Sequence, residues 1–157
     1  LILSTEAAQI QEDEGGDVAQ TYLDTLGNAT GGVGHKLTPE ELAKYPVGTT
    51  IPKTVRDRWF REDMEIAFRD ASKLLNHEIP HEAFNIVVNM AFNMGRGRLA
   101  GFAGMRKALR EEDYNRAADE MEWQDPDDRS KGHTPWFTQT GGRAKRLVVR
   151  MRKVSNG

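Results

Sequence analysis

Residues 14–41 read E-G-G-D-V-A-Q-T-Y-L-D-T-L-G-N-A-T-G-G-V-G-H-K-L-T-P-E-E, and the fold is decided here. Glu14 closes a short helical run. Ser4 and Thr5 precede Glu6-Ala7-Ala8-Gln9-Ile10-Gln11, and Gly15-Gly16 supplies the stop. Tyr22-Leu23-Asp24 and Ala29 to Gly34 predict two short strands, with Leu26-Gly27-Asn28 as the turn between them. Thr38-Pro39-Glu40-Glu41 then starts a helix. Thr38 can cap it, Pro39 suits the first helical position, and Glu41 completes a capping box.

Outward from this stretch the chain becomes helical. Pro46 and Gly48 end the short helix, and Pro52 opens a long one running to about Asn76. Its apolar residues Phe60, Met64, Ala67, Phe68, Ala71, Leu74 and Leu75 form one stripe. At 1.5 Å per residue it spans about 30 Å, long enough to join two lobes. From His81 to Met94 apolar residues lie almost all round, which predicts a central buried helix interrupted at Gly95-Arg96-Gly97. Helices are also expected over Gly101 to Arg110, Asp113 to Trp123 and Gly142 to Val154, with a polar loop from Gln124 to Thr138. The fold class expected is α+β, mainly α. A small β-hairpin lobe (about 14–60) and a larger helical lobe (about 80–157) are joined by a long helix (about 54–76) within one domain, 1–157. A cleft between such lobes is the expected place for a ligand.

Composition bounds the function. With 38% hydrophobic and 29% charged residues in 157, the chain is not disordered, and no apolar run approaches the ~20 residues of a membrane span. Lys+Arg is 22 against Asp+Glu 24, so bulk charge gives no reason for a nucleic-acid partner. There is no Cys, which excludes a disulfide framework, a thiol nucleophile and Cys-ligated metal. Leu1-Ile2-Leu3 is too short for a signal peptide, and any targeting segment upstream of it is invisible.

Several chemistries lack their residues. His77 and His81 have the i, i+4 spacing of a metal pair, but Pro80 breaks the helix between them and no H-E-x-x-H occurs, so no metal is expected. Gly31-Gly32-Val33-Gly34 has no P-loop lysine and reads as tight strand packing. No G-x-S-x-G is present. Carboxylates remain. Glu14 at a helix end and Asp24 at a strand end, with Thr30 on the next strand, can face one cleft. Paired carboxylates about 6.5–9.5 Å apart suit an inverting glycosidase. With a turn near Gly27, Asp24 and Thr30 are expected almost opposite each other.

The run Glu14-Gly15, then Tyr22-x-Asp24-x-x-Gly27-x-x-Thr30-x-Gly32-x-Gly34-His35, resembles the signature of the phage-type lysozymes, glycoside hydrolase family 24, which include the T-even phage lysozyme. Ala91-Phe92-Asn93-Met94-Gly95 with Ala100-Gly101-Phe102, and Trp136 to Thr140 with Arg143-Ala144-Lys145-Arg146, resemble the same family's later helices. The resemblance implies a muramidase acting on the β-1,4 bond between N-acetylmuramic acid and N-acetylglucosamine, inverting, with no cofactor. It implies Glu14 as general acid, Asp24 as the carboxylate that holds water, and Thr30 as the hydroxyl that orients it. Phe92 falls at a cleft-lining position, Arg143 at a supporting cation near Glu14, and His35 at a structural partner of the long helix, close to Asp63. The implied partner is the glycan strand of periplasmic peptidoglycan. It would be met by a monomer made in an infected bacterium, or by a domain borne on a virion.

Departures from the pattern leave alternatives. Glu14 and Tyr22 stand eight apart, one more than in the T-even enzyme, which brings Asp13 and Glu12 into competition for the acid role. The spare residue is expected within Gly16-Asp17-Val18. Lys36, Met105 and Glu120 replace residues typical at cleft positions. The net charge of −2 suits a domain delivered by a larger assembly better than a free lysin clinging to an anionic wall. Two other readings are a wall-binding or virion structural domain without catalysis, and the muramidase domain of a bacterial toxin.

Overall fold

The computed structural model describes residues 4–154; Leu1-Ile2-Leu3 lies outside them. The chain divides into two compact units, one running to Ile66 and one beginning at Ala67.

The first unit opens with α1 (Ser4–Asp13). The Gly16 N–H reaches the Gln11 carbonyl at 2.9 Å and the Gly15 N–H reaches that of Glu12 at 3.0 Å. This is a Schellman end, and it needs the left-handed φ of 93° that Gly15 adopts without strain. Three antiparallel strands follow in the order β1 (Val18–Leu23), β2 (Ala29–Gly32) and β3 (His35–Lys36). The third strand was not expected. Gly32 and Gly34 take φ of 57° and 62°, folding the chain back where the second strand was predicted to continue. The register pairs Tyr22 with Thr30 and Leu23 with Ala29 but Val18 with Gly32. β1 carries an irregularity between Val18 and Tyr22, where it has more residues than the facing stretch of β2.

The outer edge of β1 is covered by residues 48–51. Thr21 N–H bonds the Thr49 carbonyl at 3.1 Å, and Ile51 N–H bonds that of Ala19 at 2.7 Å. This places Ile51 in the core with Ile10, Val33 and Trp59. A Cβ at Gly31 would meet Ile51 Cδ1 at 2.5 Å, so a side chain there would displace the end of Ile51. Helix α2 (Pro39–Lys44) carries the expected Thr38–Glu41 capping box.

Helix α3 (Lys53–Leu75) gives its first part to this unit and its last part to the second, where Ala67, Ala71 and Leu75 are buried at helical spacing. Helix α4 (His81–Ala100) is buried continuously from Asn85 to Ala91, as its all-round apolar pattern predicts. Its interruption is narrower than expected. Only Gly95 leaves helical angles, at φ 80° and ψ 166°. Gly101 and Phe102 form a turn, so α5 (Ala103–Arg110) starts later than predicted. Helix α6 (Tyr114–Glu122) is capped by the Asp113 side chain.

The expected loop from Gln124 to Thr138 is a correction. It holds a 3-10 turn (Arg129–Lys131) and then α7 (Pro135–Thr140), before α8 (Gly142–Arg152). The Thr134-Pro135 pair is the same start signal as Thr38-Pro39, and the polar residues around it concealed it. Thr134 Oγ1 accepts from Phe137 N–H at 3.2 Å and donates to the Met121 carbonyl at 2.7 Å. Trp136 Nε1 donates to Asn93 Oδ1 at 2.8 Å, holding α7 on α4.

Thr134→Ala removes both the cap of α7 and the partner of a buried carbonyl. It is expected to cost about 1–3 kcal/mol in urea unfolding, with Thr134→Ser recovering most of the loss. Equal stability of the alanine variant and wild type would show that the cap does not hold α7.

Candidate active site

The Schellman turn leaves Glu14 as the C-cap just past α1, its N–H still bonded to the Ile10 carbonyl at 2.9 Å. Its carboxylate lies against Gly34. A Cβ at Gly34 would overlap Glu14 Oε1 and stand 3.0 Å from Cδ. Gly34 is favoured by its positive φ, and a side chain there would push the Glu14 carboxylate from its seat. Asp13, the competing acid, instead accepts from Gln9 Nε2 at 2.9 Å.

Asp24 sits in the turn joining β1 to β2. Its Oδ1 accepts from the N–H groups of Leu26 (2.9 Å) and Asn28 (2.8 Å). Its Oδ2 accepts from Lys36 Nζ at 2.9 Å and Asn28 Nδ2 at 3.3 Å. The Lys36 ammonium, and after it the Asn28 N–H, hold this carboxyl far below the usual carboxylate range. All four contacts favour the ionised form of Asp24.

Thr30 stands opposite Tyr22, and Asp24 N–H bonds the carbonyl of Asn28. The expectation that Asp24 and Thr30 lie almost opposite each other is therefore corrected. They share a face of the hairpin but are offset by two residue pairs, because the turn closes on Asn28. Thr30 is 3% exposed, and its hydroxyl donates to the Asn28 carbonyl at 2.9 Å. With its proton committed, Oγ1 can only accept from a further partner.

His35 follows Gly34 directly. Its Nδ1 bonds Asp63 at 2.8 Å, its Nε2 bonds Glu41 at 2.9 Å, and its ring stacks on Trp59 with centroids 4.3 Å apart. Ionised carboxylates only accept, so both bonds form together only with the imidazolium. Burial pushes the imidazole down, but Asp63 and Glu41 more than offset it, and the His35 pKa is raised. Burial pushes the Glu41 carboxyl up, but the Thr38 N–H and His35 outweigh it, and that pKa is lowered. The second carboxylate was not anticipated. Glu41 was legible only as a capping residue.

The other named residues lie in the second unit. Phe92 is half-buried on α4. Arg143, at the start of α8, is buried, and its Nε donates to Asn89 Oδ1 at 2.8 Å. Asn89 carried no signal in the sequence beyond a polar residue in an apolar helix. No group of three or more His, Asp or Glu among the described residues could hold a metal ion.

The Phage lysozyme family model matches residues 12–135. The chain belongs to the phage lysozyme family. The match takes in Glu14, Asp24, Thr30, His35 and Phe92 and stops before Arg143. Peptidoglycan hydrolase gp36 of Pseudomonas phage phiKMV is 28% identical over 148 residues, which is 93% of this chain and 14% of that protein. The chain thus spans about one seventh of this relative's length. As a phage lysozyme family member the chain has the mainly helical α+β architecture its sequence predicts, and no helix among the described residues is long and apolar enough to cross a membrane.

The His35 cluster sets a pH window. A raised His35 pKa contributes stability that is complete below its ordinary value of 6.5 and lost as pH rises through the folded value. A lowered Glu41 pKa contributes stability present above 4.5 and lost as pH falls through its folded value. The stability difference between wild type and His35→Asn should therefore be largest between pH 4.5 and 6.5 and shrink on the alkaline side. Urea unfolding at a series of pH values measures it, and a difference that grows above neutrality would contradict the two-carboxylate clamp.

Proposed function

We propose that the chain hydrolyses peptidoglycan as a muramidase, cutting the β-1,4 bond between N-acetylmuramic acid and N-acetylglucosamine. The observation that carries this is the placing of two carboxylates at opposite ends of β2. Glu14 is seated on the glycine turn at one end, and Asp24 is ionised at the other. β2 has four residues, so the two turns stand three strand steps apart, about 10 Å. The hydroxyl of Thr30 on the same hairpin face as Asp24, which a covalent nucleophile would not need, supports the inverting course over the retaining one.

Glu14 donates its proton to the leaving glycosidic oxygen. Asp24 is a poor proton acceptor while Lys36 is bonded to it, so its part is to hold water and to oppose the positive charge growing on the sugar. Thr30, its own proton given to Asn28, accepts one hydrogen of that water while Asp24 accepts the other. The water oxygen bonds to the anomeric carbon as the bond to the leaving oxygen breaks, the surplus proton on that water passes to solvent, and Glu14 takes a proton back from solvent to restore the acid. The relative from phage phiKMV is named a peptidoglycan hydrolase and is much longer than this chain, which supports delivery to the cell wall within a larger phage protein.

Glu14→Gln is expected to fold as wild type and to lose about 10²–10⁴-fold in a turbidity assay on chloroform-treated Gram-negative cells. Asp13→Asn should retain activity; the reverse pattern would move the acid to Asp13.

The stereochemistry tests the far side of the sugar. Proton NMR of a digested β-linked glycan should show the α-anomer first, before mutarotation. A β-anomer first would recast Asp24 as a covalent nucleophile and remove the water-holding role of Thr30.

A further inference from the structure

The face of the small sheet that carries Asp24 also carries a cation. Tyr22 pairs with Thr30 and Thr30 with Lys36, so these three residues form one row on one face, and Asp24 follows two residues after Tyr22 on the same face. β2 lies between the other two strands, so the Lys36 stem reaches across it to bring Nζ to Asp24 Oδ2 at 2.9 Å. That bond is not what fixes the carboxylate. The N–H groups of Leu26 and Asn28 and the Asn28 side-chain amide engage both of its oxygens without Lys36. The Lys36 side chain meanwhile stays largely exposed. An ammonium has three donors. One goes to Asp24, and the other two carry no hydrogen bond among the described residues.

We propose that Lys36 is a specificity-determining residue that binds a carboxylate borne by the N-acetylmuramic acid residue at the cut bond, either that of its lactyl group or one on a stem peptide attached there. The proposal rests on the muramidase reading above and adds to it the feature of the wall that is recognised. In that reaction the anomeric carbon facing the water on Asp24 belongs to N-acetylmuramic acid, the one sugar of the pair that bears an acidic substituent. The fixed negative charge of Asp24 repels such a group. Lys36 offsets the repulsion and turns two further donors to the incoming carboxylate, so one ammonium bridges enzyme and substrate. A neutral glycan has no charge for those donors to meet. Because Lys36 is exposed, the preference is modest and sensitive to salt.

The test is amide NMR titration of the full chain with three ligands. They are N-acetylglucosaminyl-β-1,4-N-acetylmuramic acid, its lactyl methylamide, and the same disaccharide with L-alanyl-D-glutamate on the lactyl group. None contains the bond proposed to be cut, so wild type can be used. At least one anionic ligand should bind about two- to fivefold tighter than the methylamide, and the advantage should shrink as salt is raised. An advantage of the free lactyl form assigns the lactyl carboxylate, and one confined to the dipeptide form assigns the stem. The Leu26, Asn28 and Lys36 amide signals should move on binding. Lys36→Met should abolish the advantage and Lys36→Arg should keep it. The arginine variant and the salt series on wild type keep the test decisive if Lys36→Met does not fold. Equal or tighter binding of the methylamide to wild type overturns the proposal. So does an advantage that survives Lys36→Met, an advantage without shifts at Leu26, Asn28 and Lys36, or no binding by either anionic ligand. None of these readouts involves bond cleavage. Cell lysis by Glu14→Gln would count against the muramidase reading and leave the binding result as it stands, and equal binding of the three ligands would defeat this inference alone.

Discussion

A carboxylate occupies the volume that a side chain at residue 34 would need, and the first unit is organised to let it. The helix must end at Glu14, which the paired glycines 15 and 16 accomplish through two backbone bonds. The strand must turn back at Gly32 and Gly34 with φ positive at both. The residue after the turn must not shift, and His35 is held from two sides by Asp63 and Glu41 while its ring lies on Trp59. Close packing of this kind transmits position. A carboxylate touching backbone has fewer places to go than one in open solvent.

The two candidate catalytic carboxylates are treated differently by their surroundings, which is how one pair of acidic residues is divided between roles. Asp24 receives two backbone N–H groups, a side-chain amide and an ammonium, all of which favour its charged form. Lys36 is itself 63% exposed, so its hold on Asp24 is screened by salt and is not a large source of folding stability. Its effect is chemical. It takes proton affinity away from Asp24 and leaves a fixed negative charge.

Much of this was legible because the decisive signals are local. The capping box at Thr38 and Glu41, the glycine stop after Glu14 and the all-round apolar run around Met90 each express a rule acting within a few residues. What was lost depends on partners distant in the chain. Glu41 served the capping box so well that its bond to His35 was hidden, and Asn89 gave no sign of Arg143, which lies 54 residues away. The short strand at His35 escaped because two glycines in positive φ look, in sequence, like the tail of a longer strand. Helix α7 escaped for a different reason. Its start signal was present at Thr134-Pro135, but the acidic and basic residues before it read as solvent-facing loop.

The cover that residues 48–51 lay along β1 has a consequence for how the protein behaves among its own copies. A small sheet with a bare outer strand is a template on which another chain can register. Here one side is taken by the chain's own backbone, and the opposite strand has only two residues, Lys36 among them. The hairpin can be short, glycine-rich and partly exposed without presenting a row of unpaired amides to a neighbour. Crowding many copies together therefore carries little risk of strand-to-strand association through this sheet.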